Sequence, residues 1–189
     1  MHWKLLILWY NDFGCSTDAE WSEGTVPAKV TIREATAEDR DFLRGMFYEA
    51  VFVPEGAEKP LYSIIDDPVL QKYTYNWMLP TDMGLIAEID GEPVGMFWAR
   101  LFSARERGYG FVDEHTPEIS MAVRPERRGQ GIGKALMVEA LKVLRDQGYT
   151  RVSLSVSKAN ERAVGLYRSM AFATVAENRE DYVMVKKLV

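Results

Sequence analysis

Apolar and polar residues alternate in short runs along the first half of the chain, a pattern typical of half-buried strands. One stretch instead carries apolar residues three and four apart, and Thr36 with Asp39 is placed to cap it as a helix. Asp90-Gly91 separates two apolar runs and predicts a tight hairpin turn. The predicted elements of this half are a strand at 30–33, a helix at 36–51, an acidic loop at 54–68, a short helix at 69–77, and strands at 85–89, 94–99 and 118–123.

The second half of the chain has a more regular pattern. After a loop at 103–117 and the strand at 118–123, residues 131–147 place their apolar positions on one helical face, and Gly148 is positioned to end that helix. The remaining predicted elements are a strand at 151–156, a helix from Asn160, and two closing strands at 172–176 and 182–188. The order of strands and helices predicts an α/β (or α+β) fold.

Composition narrows the class of protein further. The 189 residues are 47% hydrophobic and 27% charged, which fits one globular domain with its own core. The net charge of −5 is spread along the chain, so no concentrated basic face is expected for a nucleic-acid partner. Cys15 is the only cysteine and His2 and His115 are the only histidines, so we expect neither an intrachain disulfide nor a metal site.

The N-terminal residues 1–29 are expected to lie outside the domain proper. Residues 3–10 are apolar except for Lys4 and loosely resemble a signal peptide, but no clear small-residue cleavage site follows them. The predicted organisation is therefore an appendage and linker at 1–29 and one domain at 30–189. No later run reaches the ~18 apolar residues of a membrane helix, so we expect no membrane partner and a cytoplasmic location.

Three glycines at alternate positions separate the strand at 118–123 from the helix that follows it. Glycine at a helix start costs ~0.5–1 kcal/mol relative to alanine, so a ligand is expected to favour it here. Glycines let backbone N–H groups approach phosphate oxygens, and a helix N-terminus adds partial positive charge. The glycines are Gly129, Gly131 and Gly133, and the neighbouring cations are Arg127, Arg128 and Lys134. The segment predicts an anion-binding turn.

The spacing of this turn excludes two common phosphate motifs. A Walker loop needs a glycine five residues before Gly133, where Arg128 stands, and a serine or threonine where Ala135 stands. A dinucleotide fingerprint that starts at Gly129 would need its third glycine at the position of Lys134. Neither the nucleotide-hydrolase nor the dinucleotide interpretation fits.

The segment Arg128 to Gly133 resembles the Arg/Gln-x-x-Gly-x-Gly/Ala signature of the GNAT superfamily of N-acetyltransferases, which binds the pyrophosphate of acetyl-coenzyme A. The preceding Met121 to Glu126 is similar to the strand end and turn that lead into it, and the segment from Asn160 to Phe172 resembles the second motif of the family. The resemblance covers about 30–188 and implies a mixed central sheet of about six to seven strands, flanked by about four helices, with splayed central strands. One residue departs from it, because Ala171 replaces the usual glycine. In a left-handed backbone alanine costs about 1 kcal/mol.

The resemblance implies direct transfer of an acetyl group from acetyl-coenzyme A to an amine, without a metal or a covalent intermediate. It implies that the strand end holds the pantetheine arm, with a backbone N–H around Val123 directed at the thioester carbonyl. Asn160 is expected to bond the cofactor, although a plain helix cap explains the same residue. The predicted cofactor-binding residues are Met121, Ala122, Val123, Arg128, Gly129, Gln130, Gly131, Ile132, Gly133, Lys134 and Asn160.

Two residues are predicted to move protons. Tyr167 is expected to act as general acid toward the sulfur, because a phenol has a basicity comparable to that of a thiolate, although its spacing also fits a core tyrosine. Glu118 is the predicted general base, through a water, and a solvated edge residue is the alternative. The rival carboxylates and base in the preceding loop are Asp113, Glu114 and His115.

The acceptor is expected to be an amine of a small molecule or a protein. Acid-rich loops at 55–67 and 113–114 favour a cationic amine, with Tyr73, Tyr75 and Trp77 as pocket walls, whereas Arg105 and Arg107 would favour an anionic acceptor. Two other functions stay open, a noncatalytic acyl-coenzyme A sensor and a transferase for a longer acyl-coenzyme A. A homodimer is also possible.

Overall fold

A computed structural model describes residues 30–54 and 56–188, so the predicted appendage, with His2 and Cys15, lies outside the described residues. This part of the chain contains seven strands and four α-helices. They are β1 (Val30–Glu34), α1 (Arg40–Glu49), α2 (Pro68–Gln71), β2 (Met83–Ile89), β3 (Glu92–Arg100), β4 (Glu118–Val123), α3 (Ile132–Asp146), β5 (Arg151–Ser157), α4 (Glu161–Ser169), β6 (Ala173–Glu177) and β7 (Asp181–Lys187). The predicted order of elements is confirmed.

The strands form one mixed sheet in the order β1-β2-β3-β4-β5-β7-β6. Every neighbouring pair is antiparallel except β4 and β5, which are parallel. The hairpin between β2 and β3 turns at Asp90 and Gly91, whose φ angles of 53° and 80° are the left-handed values that a tight two-residue hairpin turn requires. The α/β fold with a mixed sheet is therefore confirmed.

The two central strands diverge from each other. β4 pairs with β3 along its whole length, but its register with β5 has one pair, Glu118 with Ser153. There Ser153 donates its N–H to the Pro117 carbonyl at 3.0 Å. Beyond this point the described strands share no register pair, so a gap opens between β4 and β5 toward Val123. The predicted splay of the central strands is confirmed.

The segment between α1 and β2 differs from the prediction. The expected helix at 69–77 is only the single turn of α2, followed by turns to Asn76, and a 3₁₀ turn at Tyr62–Asp66 lies inside the expected loop. The Asp67 carboxylate starts α2 by accepting the Val69 N–H at 2.8 Å. The helix ends early because the Arg100 guanidinium binds the carbonyls of the residues that would continue it.

Two hydrophobic cores cover the two faces of the sheet. One lies under α3 and α4 and includes Ile119, Met121 and Val123 of β4. The other lies under α1 and the segment after α2, and it includes Ala122. Because side chains alternate along a strand, β4 presents its residues to both cores in turn. No helix within the described ranges is long and apolar enough to cross a membrane.

Ala171, between α4 and β6, has a φ of 63°, so the position keeps the left-handed backbone that suits glycine. The alanine therefore carries the strain that its sequence position predicts. We expect Ala171→Gly to raise the free energy of unfolding by about 1 kcal/mol, because it removes this strain and buried contacts are not lost at an exposed side chain. Urea unfolding would measure the change. A loss of stability would show that the alanine methyl contributes more than the backbone strain costs.

Candidate active site

The gap between β4 and β5 is lined by backbone groups of β4. Arg124 donates its N–H to the Val94 carbonyl at 2.8 Å, so alternate residues of this strand bond to β3. The N–H groups of Met121 and Val123 occupy the intervening positions and point toward the gap. The predicted N–H donor at Val123 therefore faces an opening where no β5 backbone is paired with it.

The glycine turn leads directly from this strand end into α3. Gly129 and Gly131 have φ angles of 83° and 75°, which side-chain-bearing residues rarely adopt. Gly131 is the N-cap of α3 and has no side chain to bond the first N–H groups, and the first turn of α3 holds no acidic residue. By contrast, Asp41 and Glu161 occupy the first turns of α1 and α4. The α3 N-terminus thus keeps a partial positive charge for an anion from outside the protein.

Arg128 does not extend into this turn as an unpaired cation. Its Nε donates to the Val123 carbonyl at 3.0 Å, and its Nη2 lies 2.9 Å from the Glu49 carboxylate of α1. Burial lowers the pKa of Arg128, and the pairing with Glu49 opposes that shift. The guanidinium therefore joins the end of β4 to α1 beside the glycine turn, and contact of Arg128 with the cofactor remains a prediction.

Glu118 lies at the narrow end of the gap and its side chain is buried, so the alternative of a solvated edge residue is wrong. Its Oε1 accepts a hydrogen bond from the Tyr73 hydroxyl at 2.9 Å. Its Oε2 accepts none from the part of the chain that the structure describes. Burial raises the pKa of Glu118 to about 7, while the nearby Gly110 N–H, Tyr73 and the charge of Lys72 act in the opposite direction. A carboxylate with this pKa is suited to accept a proton near neutral pH.

The two rival carboxylates in the loop at 103–117 are engaged in hydrogen bonds within the protein. The Asp113 carboxylate accepts hydrogen bonds from the His115 N–H and the Thr116 hydroxyl and pairs with Arg151. These partners hold the pKa of Asp113 below its usual value, although desolvation acts against them. Glu114 accepts the Ala104 N–H at 2.7 Å. Glu118 is thus the carboxylate of this region whose pKa suits a general base.

Tyr167 occupies the α4 side of the sheet and is completely buried. Its ring packs edge-on against Phe172, with centroids 5.5 Å apart. The hydroxyl has no hydrogen-bond partner among the described residues, and burial raises the pKa of this phenol. A buried hydroxyl without a partner is costly, so a ligand atom is a natural partner for it.

Asn160 is the N-cap of α4, because its Oδ1 accepts the Ala163 N–H at 3.1 Å. The side chain is buried, so the helix-cap interpretation is confirmed. Contact of Asn160 with a cofactor remains a prediction. Lys134 is exposed on the first turn of α3, beside the buried Ile132 and Gly133.

The predicted acid and base lie on opposite faces of the sheet. Tyr167 packs in the same core as Met121 and Val123, under α3 and α4. Glu118 contacts Tyr73, which belongs to the core under α1. On its other edge β4 is fully paired with β3, so the unpaired edge at the gap lies between these two faces. This arrangement allows a proton to leave on one face while another is delivered on the opposite face.

The sequence did not reveal the groups that hold Tyr73 in place. Arg100, buried at the end of β3, bonds both oxygens of Asp82 at 2.8 and 2.6 Å and donates to the Lys72 carbonyl at 2.7 Å. An arginine that ends an otherwise apolar strand was the available signal. Of the three expected pocket walls, Tyr73 and Trp77 are buried, whereas Tyr75 is 67% exposed.

A splayed mixed sheet with an uncapped, glycine-led helix beside the gap is the arrangement that the resemblance in the sequence predicts. The chain belongs to the acetyltransferase (GNAT) family, whose model matches residues 46–172. Two curated relatives are mycothiol acetyltransferases. That of Nocardiopsis dassonvillei is 36% identical over 57% of this chain and 32% of its own length. That of Saccharomonospora viridis is 28% identical over 85% of this chain and 51% of its own length. The chain thus spans about half or less of these relatives.

Solved structures share the fold at low sequence identity. The PaiA N-acetyltransferase of Thermoplasma acidophilum, in complex with coenzyme A, has a TM-score of 0.62 at 20% identity and covers 84% of this chain and 99% of its own. YncA of Salmonella typhimurium, a putative acetyltransferase with its cofactor acetyl-CoA, has a TM-score of 0.62 at 19% identity, over 85% of this chain and 95% of its own. These matches bear out the fold.

Proposed function

We propose that this protein moves the acetyl group of acetyl-coenzyme A directly to a primary amine. One observation carries the proposal. Glu118 and Tyr167 each hold a buried oxygen without a hydrogen-bond partner in the described chain, on opposite faces of β4 beside the gap. A direct transfer needs a base for the attacking amine and an acid for the departing thiolate, and the two groups meet these needs.

The donor is proposed to lie across the gap with its pyrophosphate at the start of α3. The uncapped N–H groups after Gly131 and the left-handed turn at Gly129 support this position. The pantetheine arm would run along β4, where Met121 and Val123 direct N–H groups into the gap. The coenzyme A and acetyl-CoA complexes of the two structural relatives agree with this ligand.

In the proposed reaction, the acetyl group moves from sulfur to nitrogen in one direct transfer. The amine nitrogen attacks the thioester carbonyl carbon, and its proton passes to Glu118, directly or through one water. The carbonyl oxygen gains negative charge and is stabilised by the N–H of Val123. The carbon–sulfur bond then breaks, and the sulfur takes the hydroxyl proton of Tyr167, giving coenzyme A thiol and the acetylated amine. Glu118 and Tyr167 return to their starting states by proton exchange with water.

The acceptor is proposed to be an amine that reaches the face of the sheet that carries Glu118. Two curated relatives are mycothiol acetyltransferases, so the acceptor of those enzymes belongs in the first panel of amines to be assayed. Lys72 and Glu118 bring opposite charges to this face, which gives no clear preference for a cationic or an anionic acceptor. An amine panel should therefore contain both kinds.

Thiol release from acetyl-coenzyme A across this panel of amines tests the proposed transfer. The variant Tyr167→Phe tests whether Tyr167 is the general acid. We expect the variant to lower kcat about 10²-fold, because the thiolate loses its proton donor, with little change in KM for acetyl-coenzyme A. Tyr149→Phe is the matched control, since Tyr149 packs against the same core and is expected to leave kcat unchanged. A fall in cofactor affinity without a fall in kcat would contradict the role of Tyr167.

The same assay separates the other two functions. Tight binding of acetyl-coenzyme A with no thiol release for any amine would support a noncatalytic sensor. Faster release with a longer acyl-coenzyme A would support a different donor, since the turn at the α3 N-terminus contacts the pyrophosphate and not the acyl group. Acetyl-dependent release with one class of amine is the result that we expect.

A further inference from the structure

We propose that Tyr73 is a positioning residue that holds Oε1 of Glu118, so that Oε2 is the oxygen that takes the proton of the acceptor. The inference rests on the proposed function, in which Glu118 is the general base. Tyr73 lies just after α2, 45 residues before Glu118 in the sequence, and its hydroxyl reaches the Glu118 carboxylate at 2.9 Å. The two residues would thus form one catalytic unit assembled by the fold.

The direction of the hydrogen bonds supports this division of the carboxylate. The Tyr73 oxygen accepts a hydrogen bond from the Tyr109 N–H at 2.6 Å. The direction of this bond is certain, because a backbone N–H can only donate. The single hydroxyl proton of Tyr73 is then directed to Oε1 of Glu118 at 2.9 Å. Burial raises the pKa of Tyr73, so the phenol keeps that proton. Oε1 is therefore fixed as an acceptor.

The other oxygen has the opposite environment. Oε2 of Glu118 is buried and accepts no hydrogen bond of ordinary geometry in the ranges that the structure describes, although the Gly110 N–H lies near the carboxylate. It faces Gly108, where a Cβ would lie 2.0 Å from Oε2. Any other residue at position 108 would cover this oxygen, so glycine leaves it room. A proton taken up by the carboxyl group has Oε2 as its available position, because Oε1 already receives the Tyr73 proton.

The Tyr73 side chain is held rigidly. Its ring packs against Phe47, Phe102 and Tyr109, with centroid distances of 5.6, 5.1 and 6.2 Å. Arg100 binds the carbonyl of the preceding residue, Lys72, at 2.7 Å. These contacts fix the position of the Tyr73 ring, and such packing is what keeps a positioning residue in one geometry.

Few other charged groups surround the carboxylate. Lys72 is the nearby cation, and its Nζ donates to the Arg107 carbonyl at 2.5 Å. Arg100 is the register partner of Glu118 on β3, but its guanidinium is committed to Asp82. On β5 the register partner is Ser153, which carries no charge. The phenol of Tyr73 and the charge of Lys72 are thus the side-chain groups that favour the ionised carboxylate.

Tyr73→Phe tests the inference through the pH dependence of kcat/KM. Removing the hydrogen bond to Oε1 disfavours the ionised carboxylate, so the midpoint of the acidic limb should move upward by about one pH unit. The KM for acetyl-coenzyme A should not change. Tyr75→Phe is the matched control, since this exposed tyrosine lies two residues away and should shift nothing. A uniform loss of rate with an unmoved midpoint would overturn the positioning role.

A second measurement does not depend on turnover. The carboxyl carbon of Glu118 can be titrated by NMR in protein labelled at glutamate, with its signal assigned by its loss in Glu118→Gln. We expect its midpoint to rise in Tyr73→Phe and to stay in place in Tyr75→Phe. An unmoved midpoint would refute the inference even in an active enzyme. If no amine is acetylated, the proposed function fails on its own, and a shifted midpoint still assigns Oε1 to Tyr73.

Discussion

Glu118→Gln is expected to lower kcat/KM about 10³-fold, because the amide cannot take the proton of the attacking amine. The wild-type rate should rise with pH through about 7, the pKa to which burial raises this carboxyl group. The variant should lose that acidic limb and keep its affinity for acetyl-coenzyme A. A pH series of thiol release, with acetyl-coenzyme A binding measured separately, would test both expectations.

The same substitution should stabilise the protein above neutral pH. The folded pKa of Glu118 lies above the ordinary value of 4.5, so the folded state binds more protons than the unfolded state between those pH values. Stability is therefore lost as pH rises from about 4.5 to about 7 and is not regained above that range. With about 1.4 kcal/mol for each unit of pKa shift, Glu118→Gln could recover up to about 3 kcal/mol at pH 8.

Glu114→Gln is the matched control for this experiment. Glu114 is an exposed carboxylate of the adjacent loop and accepts the Ala104 N–H, so its variant should change neither the pH profile nor the stability by much. A Glu118→Gln enzyme that is slower and also less stable at pH 8 would point to a structural carboxylate. A slower and more stable enzyme would identify a base that the fold keeps buried at a cost.

Arg100→Met is expected to cost about 3–5 kcal/mol in the free energy of unfolding. The Asp82 carboxylate is fully buried and would lose both of its bonds to the guanidinium. The carbonyls of Lys72 and Tyr75 would lose their donor as well. A buried charge without its partner is among the most destabilising changes in a protein, and urea unfolding would measure it.

The surface pair of Arg145 and Asp146 provides the control. Both side chains are more than half exposed and lie 3.5 Å apart, so Arg145→Met should change stability by less than about 1 kcal/mol. Adding Asp82→Leu to Arg100→Met should restore part of the loss, because it removes the unpaired charge. An Arg100 variant as stable as the Arg145 variant would refute a structural role for the buried pair.

Local sequence patterns were sufficient for most of the fold. β4 is correctly bounded because Pro117 and Arg124-Pro125 enclose a short apolar run, and α4 is correctly started because Asn160 caps it through its own side chain. The glycine turn was also predicted, because closely spaced glycines indicate left-handed backbone, which Gly129 adopts. In each case the interactions that decide the structure lie within a few residues along the chain.

Interactions between distant residues were beyond the sequence patterns. Arg128 pairs with Glu49, which lies 79 residues earlier. The sequence therefore could not show whether its charge serves an anion at the turn or an ion pair within the fold. Tyr73 meets Glu118 across 45 residues, and periodicity alone left the face of Glu118 undecided. The segment after α2 is not the longer helix that its pattern predicts, because an arginine on another strand binds its carbonyls.

The divergence of β4 from β5 creates a sheet edge in the middle of the sheet. Exposed edges usually recruit strands from other molecules and lead to aggregation, and proteins protect them with charges, proline or covering elements. Here α3 and α4 lie over one side of the opening and α1 over the other. These helices cover both faces of the sheet beside the unpaired edge of β4. In the proposed function, the peptide-like arm of the donor would occupy this edge and complete its hydrogen bonds.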